Sequence, residues 1–184
     1  MALLLAAFSA QGQPARVILM RHAEKPADDK DRHLSPVGRE RARFLAEWFT
    51  QTPALTNDGP PVALYATRPA TRHRSERPRE TVEPLAHRLE LKIETPYGAE
   101  EYGKLARELL HDPRLRGKTV VICWVHDYLP QFAAALGVKP QPHSWPRSDF
   151  DRAYLITFAE GGAKLDYLRQ HFHAKPPSPE PSSR

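Results

Sequence analysis

The sequence predicts an α/β protein, a three-layer αβα sandwich whose sheet is mainly parallel and ends in an antiparallel hairpin at one edge. Short, nearly continuous apolar runs such as "RVILM" at 16–20 and "TVVICW" at 119–124 read as strands buried on both faces. Stretches with apolar residues at helical spacing alternate with them, the pattern of helices covering a parallel sheet. The last two strand-like runs are separated only by "AEGG" at 159–162, the mark of a hairpin.

Taken in order, "RVILM" is the first strand. "SPVGRERARFLAEWFTQ" follows as a helix, with Ser35 as its cap, Pro36 at the first helical position and Ala42, Leu45, Ala46 and Phe49 on one face. "VALYAT" at 62–67 is the second strand, and "RPRETVEPLAHRLE" at 77–90 is a helix expected to bend or break at Pro84. "LKIETP" at 91–96 is a short third strand. In "EEYGKLARELLHD", Tyr102, Leu105, Ala106, Leu109 and Leu110 form the apolar face of a further helix. "KTVVICW" at 118–124 is the fourth and most apolar strand, and "YLPQFAAALG" a short helix ending at Gly137. "AYLITF" at 153–158 and "AKLDYLRQ" at 163–170 complete the hairpin.

A chain of 184 residues fits one domain that needs no metal or disulfide to hold its core. The expected organisation is a leader at 1–15, the domain at 16–173 and a disordered proline- and serine-rich tail at 174–184. The leader has an apolar stretch followed by small residues but no basic start. Export to the periplasm or the medium is the expectation, with a cytoplasmic protein as the alternative. No other segment approaches the length of a membrane span. The single cysteine, Cys123, excludes an internal disulfide and a tetrathiolate zinc site, and its apolar setting reads as core. The net charge of +5 suits an anionic partner without selecting one.

In an open α/β sheet, ligands bind beyond the carboxyl ends of the strands. The first strand ends in Arg21-His22-Ala23-Glu24-Lys25, the second runs into "TRPATRHRSERPRE", and the fourth into Val125-His126-Asp127. Three strand ends thus bring arginine and histidine to one rim.

"VILMRHAEK", then "LSPVGRERARFLAEW", "SERPRETVEPLAHRL" and "TVVICWVHDYLPQFAAALG" together resemble the histidine phosphatase superfamily (phosphoglycerate mutase-like) from Arg16 to about Gly137. The family's Arg-His-Gly reads Arg-His-Ala here, with Ala23 in the glycine position. The resemblance implies a phosphatase working through a phosphohistidine. His22 would be the nucleophile, and Arg21, Arg77 and His126 would bind the transferred phosphoryl group, with no metal and no cofactor. Arg77 is singled out within its crowded loop because it stands four residues before Thr81, as the family's arginine does; Arg68, Arg72 or Arg74 could serve the substrate's far end. The general acid is ranked Asp127 first, then Glu100 or Glu101, then Glu24; the three glutamates could be surface charges, and Asp127 a helix cap.

The expected partner is a small phosphorylated substrate or a phosphoprotein, with neither nucleic acid nor membrane. A phosphomutase, or a weakly catalytic phosphate or polyanion binder of the same fold, is the alternative. Other classes fit less well. "HAE" opens a zinc deaminase signature that one cysteine cannot complete. A metal site at His171 and His173 is a further alternative, though these residues read better as closing the last strand, and metal-free activity would discriminate. Aromatics are not interleaved with the arginines as in single-strand nucleic-acid platforms.

Overall fold

The structure, a computed structural model, describes residues 13–28, 30–56, 59–71 and 73–174. Its centre is a six-stranded sheet in the order β3-β2-β4-β1-β5-β6. Strands β1 (Arg16–Arg21), β2 (Ala63–Ala66), β3 (Ile93–Glu94) and β4 (Thr119–Trp124) pair in parallel. Strand β5 (Arg152–Ala159) pairs antiparallel with β1 and forms the expected hairpin with β6 (Gly162–Arg169).

Every residue of β1 and β4 is buried, which is why both read as unbroken apolar runs. Their side chains alternate between two cores. Val17, Leu19, Val120, Ile122 and Trp124 face helices α4 (Tyr102–His111) and α5 (Leu129–Ala135), meeting Leu105, Leu109, Leu129 and Phe132. Ile18, Met20, Val121 and Cys123 face α1 (Pro36–Gln51), the short α2 (Pro53–Thr56) and α3 (Arg77–Leu89), meeting Leu45, Phe49, Leu55, Val82 and Leu85. Helices on both faces make the three layers that the pattern predicts.

Ser35 caps α1 by accepting the Gly38 N–H at 3.0 Å, and Pro36 occupies its first turn as expected. The helix at 77–89 is not broken at Pro84 but runs through it. Proline removes one internal hydrogen bond, while Val82 and Leu85, both fully buried, hold the helix against the sheet on either side of it. Helix α2 carries no signal beyond Pro53, and β3 is only two residues long. Helix α5 ends at Ala135, and Gly137 takes a positive φ of 100° just beyond it, where the Val138 N–H returns to the Ala133 carbonyl at 3.1 Å.

The expected leader lies largely outside the described residues, although Ala15 at its end donates to the Lys118 carbonyl at 2.9 Å beside the start of β4. The expected tail lies outside them from residue 175 onward. Among the described residues no helix is long and apolar enough to cross a membrane.

One contact determines where the loop after β1 runs. A Cβ on Gly38 would stand 2.3 Å from the Glu24 carbonyl oxygen, which also accepts the Ser35 N–H at 3.0 Å. Only glycine lets the first turn of α1 lie this close to that loop. Gly38→Ala is therefore expected to destabilise the fold by ~1–3 kcal/mol, the usual range for overpacking. Equilibrium denaturation measures it, and an unchanged midpoint would contradict this packing.

Candidate active site

The site is assembled where β1 and β4 end. The His22 N–H still donates to the Trp124 carbonyl at 3.2 Å, so the two strands stay in register as they leave the sheet. The His22 ring is buried, and its Nδ1 lies 2.7 Å from the carbonyl of Ala23, to which it can only donate. This leaves Nε2 as the nitrogen with a lone pair. Burial, reinforced by the charges of Arg21 and Arg77, lowers the pKa from its ordinary 6.5 to about 3, against the opposing bond to Ala23. The imidazole is neutral at any ordinary pH.

The backbone at Ala23 is fastened to α3. Its N–H donates to the Thr81 hydroxyl at 2.9 Å, and that hydroxyl donates to the Arg77 carbonyl at 2.7 Å. Thr81 is fully buried, so the four-residue spacing between Arg77 and Thr81 is a physical clamp. Ala23 itself is fully buried in a small apolar cluster with Leu34 and Ala42, which accommodates a methyl group in place of glycine.

Arg21 is buried beside His22 with its guanidinium 3.8 Å from the Phe150 ring centroid, and it donates to the Arg147 carbonyl. Burial lowers its pKa to about 10; Asp127 opposes the shift, while Arg77 and Arg147 add to it. It remains cationic at neutral pH. Arg77 is aimed by Ser75, whose Oγ accepts its Nε–H at 2.8 Å, and by the Asp31 carbonyl at 3.4 Å. His126 opens a single turn of 3-10 helix after β4, and its pKa is lowered by burial and then by Arg21. Two nitrogens, Arg21 Nε and His126 Nε2, are buried without a hydrogen-bond partner among the described residues. Asp127 Oδ1 lies 3.4 Å from that His126 nitrogen without a hydrogen bond between them. Buried donors left open at a cavity wall suit an anionic ligand.

One cavity of about 640 Å³ is lined by all five residues singled out in the sequence, Arg21, His22, Arg77, His126 and Asp127. The rival carboxylates are elsewhere. Glu24 is held by both oxygens on Arg41, at 2.7–3.0 Å. Glu101 accepts from Gly98 and Lys104, which with Arg68 lower its pKa to about 2. Glu100 is exposed, and neither it nor Glu101 lines the cavity. Asp127 does not cap α5, whose N-cap is Tyr128 without a side-chain bond. Arg68 pairs with Glu101 at 3.3 Å, Arg74 lines the cavity, and Arg72 lies outside the described residues. Cys123 is fully buried and its thiol pKa is pushed up by desolvation. His171 and His173 line a separate hollow beside Phe44, and the described residues hold no cluster of three metal-ligating side chains.

The sequence reading passed over Arg147 and Asp31, both of which line the cavity. Arg147 sits in a turn anchored by the buried Trp145, whose Nε1 donates to the Asp149 carbonyl at 2.8 Å. A tryptophan inside an otherwise polar, proline-rich linker is the one signal that could have marked this turn.

No protein-family model matches the sequence, and comparison with curated proteins yields no match. Solved structures do match. An alpha-ribazole phosphatase from Shigella flexneri is 13% identical with a TM-score of 0.61, covering 88% of this chain and 100% of that one. A phosphoserine phosphatase mutant from Entamoeba histolytica, in complex with phosphoserine, is 15% identical with a TM-score of 0.56, over 85% and 98% of the two chains. The protein histidine phosphatase SixA, complexed with tungstate, is 17% identical with a TM-score of 0.52, over 84% and 97%. The chain therefore has the αβα fold shared by these three phosphatases.

The buried neutral His22 links stability to pH. The unfolded chain takes up a proton near pH 6.5 that the folded chain refuses until about pH 3, so stability is full above pH 6.5 and falls as the pH drops towards 3. Between pH 7 and 5 this one group should remove about 2 kcal/mol. His22→Asn, which can keep the bond to the Ala23 carbonyl, should lose that much less over the same interval in denaturant titrations. Parallel losses in both proteins would show that His22 is not held neutral.

Proposed function

We propose that the protein is a phosphomonoester hydrolase of the histidine phosphatase superfamily, working through a phosphohistidine. The observation that carries this reading is His22 itself, a neutral imidazole with Nδ1 committed to the Ala23 carbonyl, in one cavity with Arg21, Arg77 and His126. The names of the structural neighbours, all phosphatases, support it.

In the first step the His22 Nε2 lone pair attacks phosphorus, the P–N bond forms and the ester P–O bond breaks. The leaving oxygen takes its proton from the carboxyl group of Asp127. In the second step water attacks the phosphohistidine, giving a proton to the Asp127 carboxylate as the P–N bond breaks, and phosphate departs from neutral His22. The protein's task is chiefly to position the groups and to stabilise charge on the equatorial oxygens. Arg21 and Arg77 suit it with planar paired donors, and the open nitrogen of His126 adds another.

His22→Ala should abolish turnover in a folded protein. Rapid quenching of the wild type into alkali should trap one phosphoryl group on His22, since phosphohistidine is labile to acid. Chelators should leave the rate unchanged. Turnover by the alanine variant would refute the nucleophile.

Asp127→Asn should slow hydrolysis of an alkyl phosphate by at least ~10-fold more than that of nitrophenyl phosphate, because a good leaving group needs little protonation. Equal losses on the two esters would take the acid's role away from Asp127.

A further inference from the structure

We propose that the substrate is a small molecule carrying a second phosphoryl group besides the one transferred, and that Lys30, Arg32, Arg74 and Arg147 receive it. This rests on the phosphatase reading and deepens it. All four residues line the His22 cavity, and among the described residues none of their side chains makes an ion pair or hydrogen bond. Elsewhere on the surface arginines find carboxylates, as Arg79 does with Glu83, Arg114 with Asp112 and Arg152 with Asp149.

The count of charges makes the case. A phosphate monoester brings at most two negative charges, which Arg21 and Arg77 already match. Among the described residues, the carboxylates in the cavity lining are Asp31 and Asp127. Asp31 is engaged within its own loop, accepting the His33 N–H at 2.8 Å. These four cations are exposed and solvated when the site is empty; with Lys25, which also lines the cavity, they give it an excess of positive charge that raises the local concentration of a second anion as it approaches.

The loops that present these cations are braced by the residues that hold the first phosphate. The Arg32 carbonyl accepts the Glu76 N–H at 3.0 Å, and the neighbouring Asp31 carbonyl accepts from Arg77. The Arg147 carbonyl accepts from Arg21, and Arg74 precedes the Ser75 that aims Arg77. The second anion site thus stands at a set distance from the first, which suits two phosphates on one compact scaffold. A concave space of about 640 Å³ is the size of a small-molecule site and favours a metabolite over a phosphoprotein.

The test compares a hexose 1,6-bisphosphate with the corresponding 1-phosphate and 6-phosphate. Calorimetry on the full-length His22→Ala protein gives affinities, and the wild type gives kcat/KM. The bisphosphate should bind at least ~10-fold more tightly than either monophosphate and be hydrolysed with a kcat/KM higher by a similar factor, the scale of one charge-assisted contact. Arg32→Ala and Arg74→Ala should each reduce the preference, whereas Arg114→Ala, whose side chain is outside this cavity, should leave it unchanged. A structural defect would lower all three esters alike and leave the ratio intact. Equal affinities for the three ligands would overturn the second-anion site whether or not any ester is hydrolysed. A binding preference without turnover of any ester would uphold that site and overturn the phosphatase reading alone. Equal binding by the sugars with strong binding of a doubly phosphorylated peptide would replace the metabolite with a protein substrate.

Discussion

The hydroxyl of Thr81 is the point on which the rest of the site depends. It accepts from the Ala23 N–H and donates to the Arg77 carbonyl, so one buried group joins the end of the central strand to the first turn of α3. Ala23 in turn supplies the carbonyl that fixes the tautomer of His22. The tautomer of His22 and the position of Arg77 are therefore set by the same three-residue chain of bonds. Threonine suits the position because a hydroxyl both donates and accepts, which serine could imitate only with a freer rotamer. A buried polar group with both capacities used costs the fold little and confers geometric definition.

Burial is the second constraint, and it acts differently on the two residues it governs. For His22, loss of water favours the neutral ring, which is the form a nucleophile needs. Arg21 has no neutral form at working pH, and desolvation is a real cost to it. Phe150 beneath the guanidinium, the Arg147 carbonyl and the field of Asp127 offset that cost, but Nε is left open. The arrangement keeps a poorly solvated cation where a dianion can complete it, a preorganisation that water could not reproduce without reorienting.

Local chemistry explains what could be read from the sequence. The buried strands, the α1 face and the Ser35 cap are properties of short segments, so period and residue type reveal them. The grouping of Arg21, His22, His126 and Asp127 was legible because each follows a parallel strand and parallel strands end on one side, whereas Arg77 was picked out of its crowded loop by the family resemblance. The engagement of Glu24 elsewhere was not legible, since it turns on Arg41. That residue lies on the buried face of α1 between Gly38 and Ala42, and it captures Glu24, which a local reading must leave as a rival acid. Arg147 was hidden for a similar reason, because its link to Arg21 spans 126 residues and no local period marks it. A break at Pro84 does not occur because the one lost hydrogen bond is weighed against a whole buried face, which local propensity does not see.

Arg41 also explains why the hairpin, which the motifs do not reach, belongs to the site's support. Besides Glu24, its guanidinium bonds Asp151 at 3.2 Å just before β5 and Gln170 at 2.9 Å just after β6, and it lies 4.5 Å from the Phe172 ring centroid. An arginine this buried would be costly alone, but its donors are shared among a carboxylate pair and an amide. The result is a tie from the loop after His22, through α1, to both ends of the antiparallel pair. Asp151 lies at the end of the same connecting segment that carries Arg147 and Phe150. The tie therefore spans the two loops that face each other across Arg21. Holding Glu24 in this role engages both its oxygens and ties down the backbone immediately after His22, so the hairpin's support of the candidate site is mechanical and acts through Arg41.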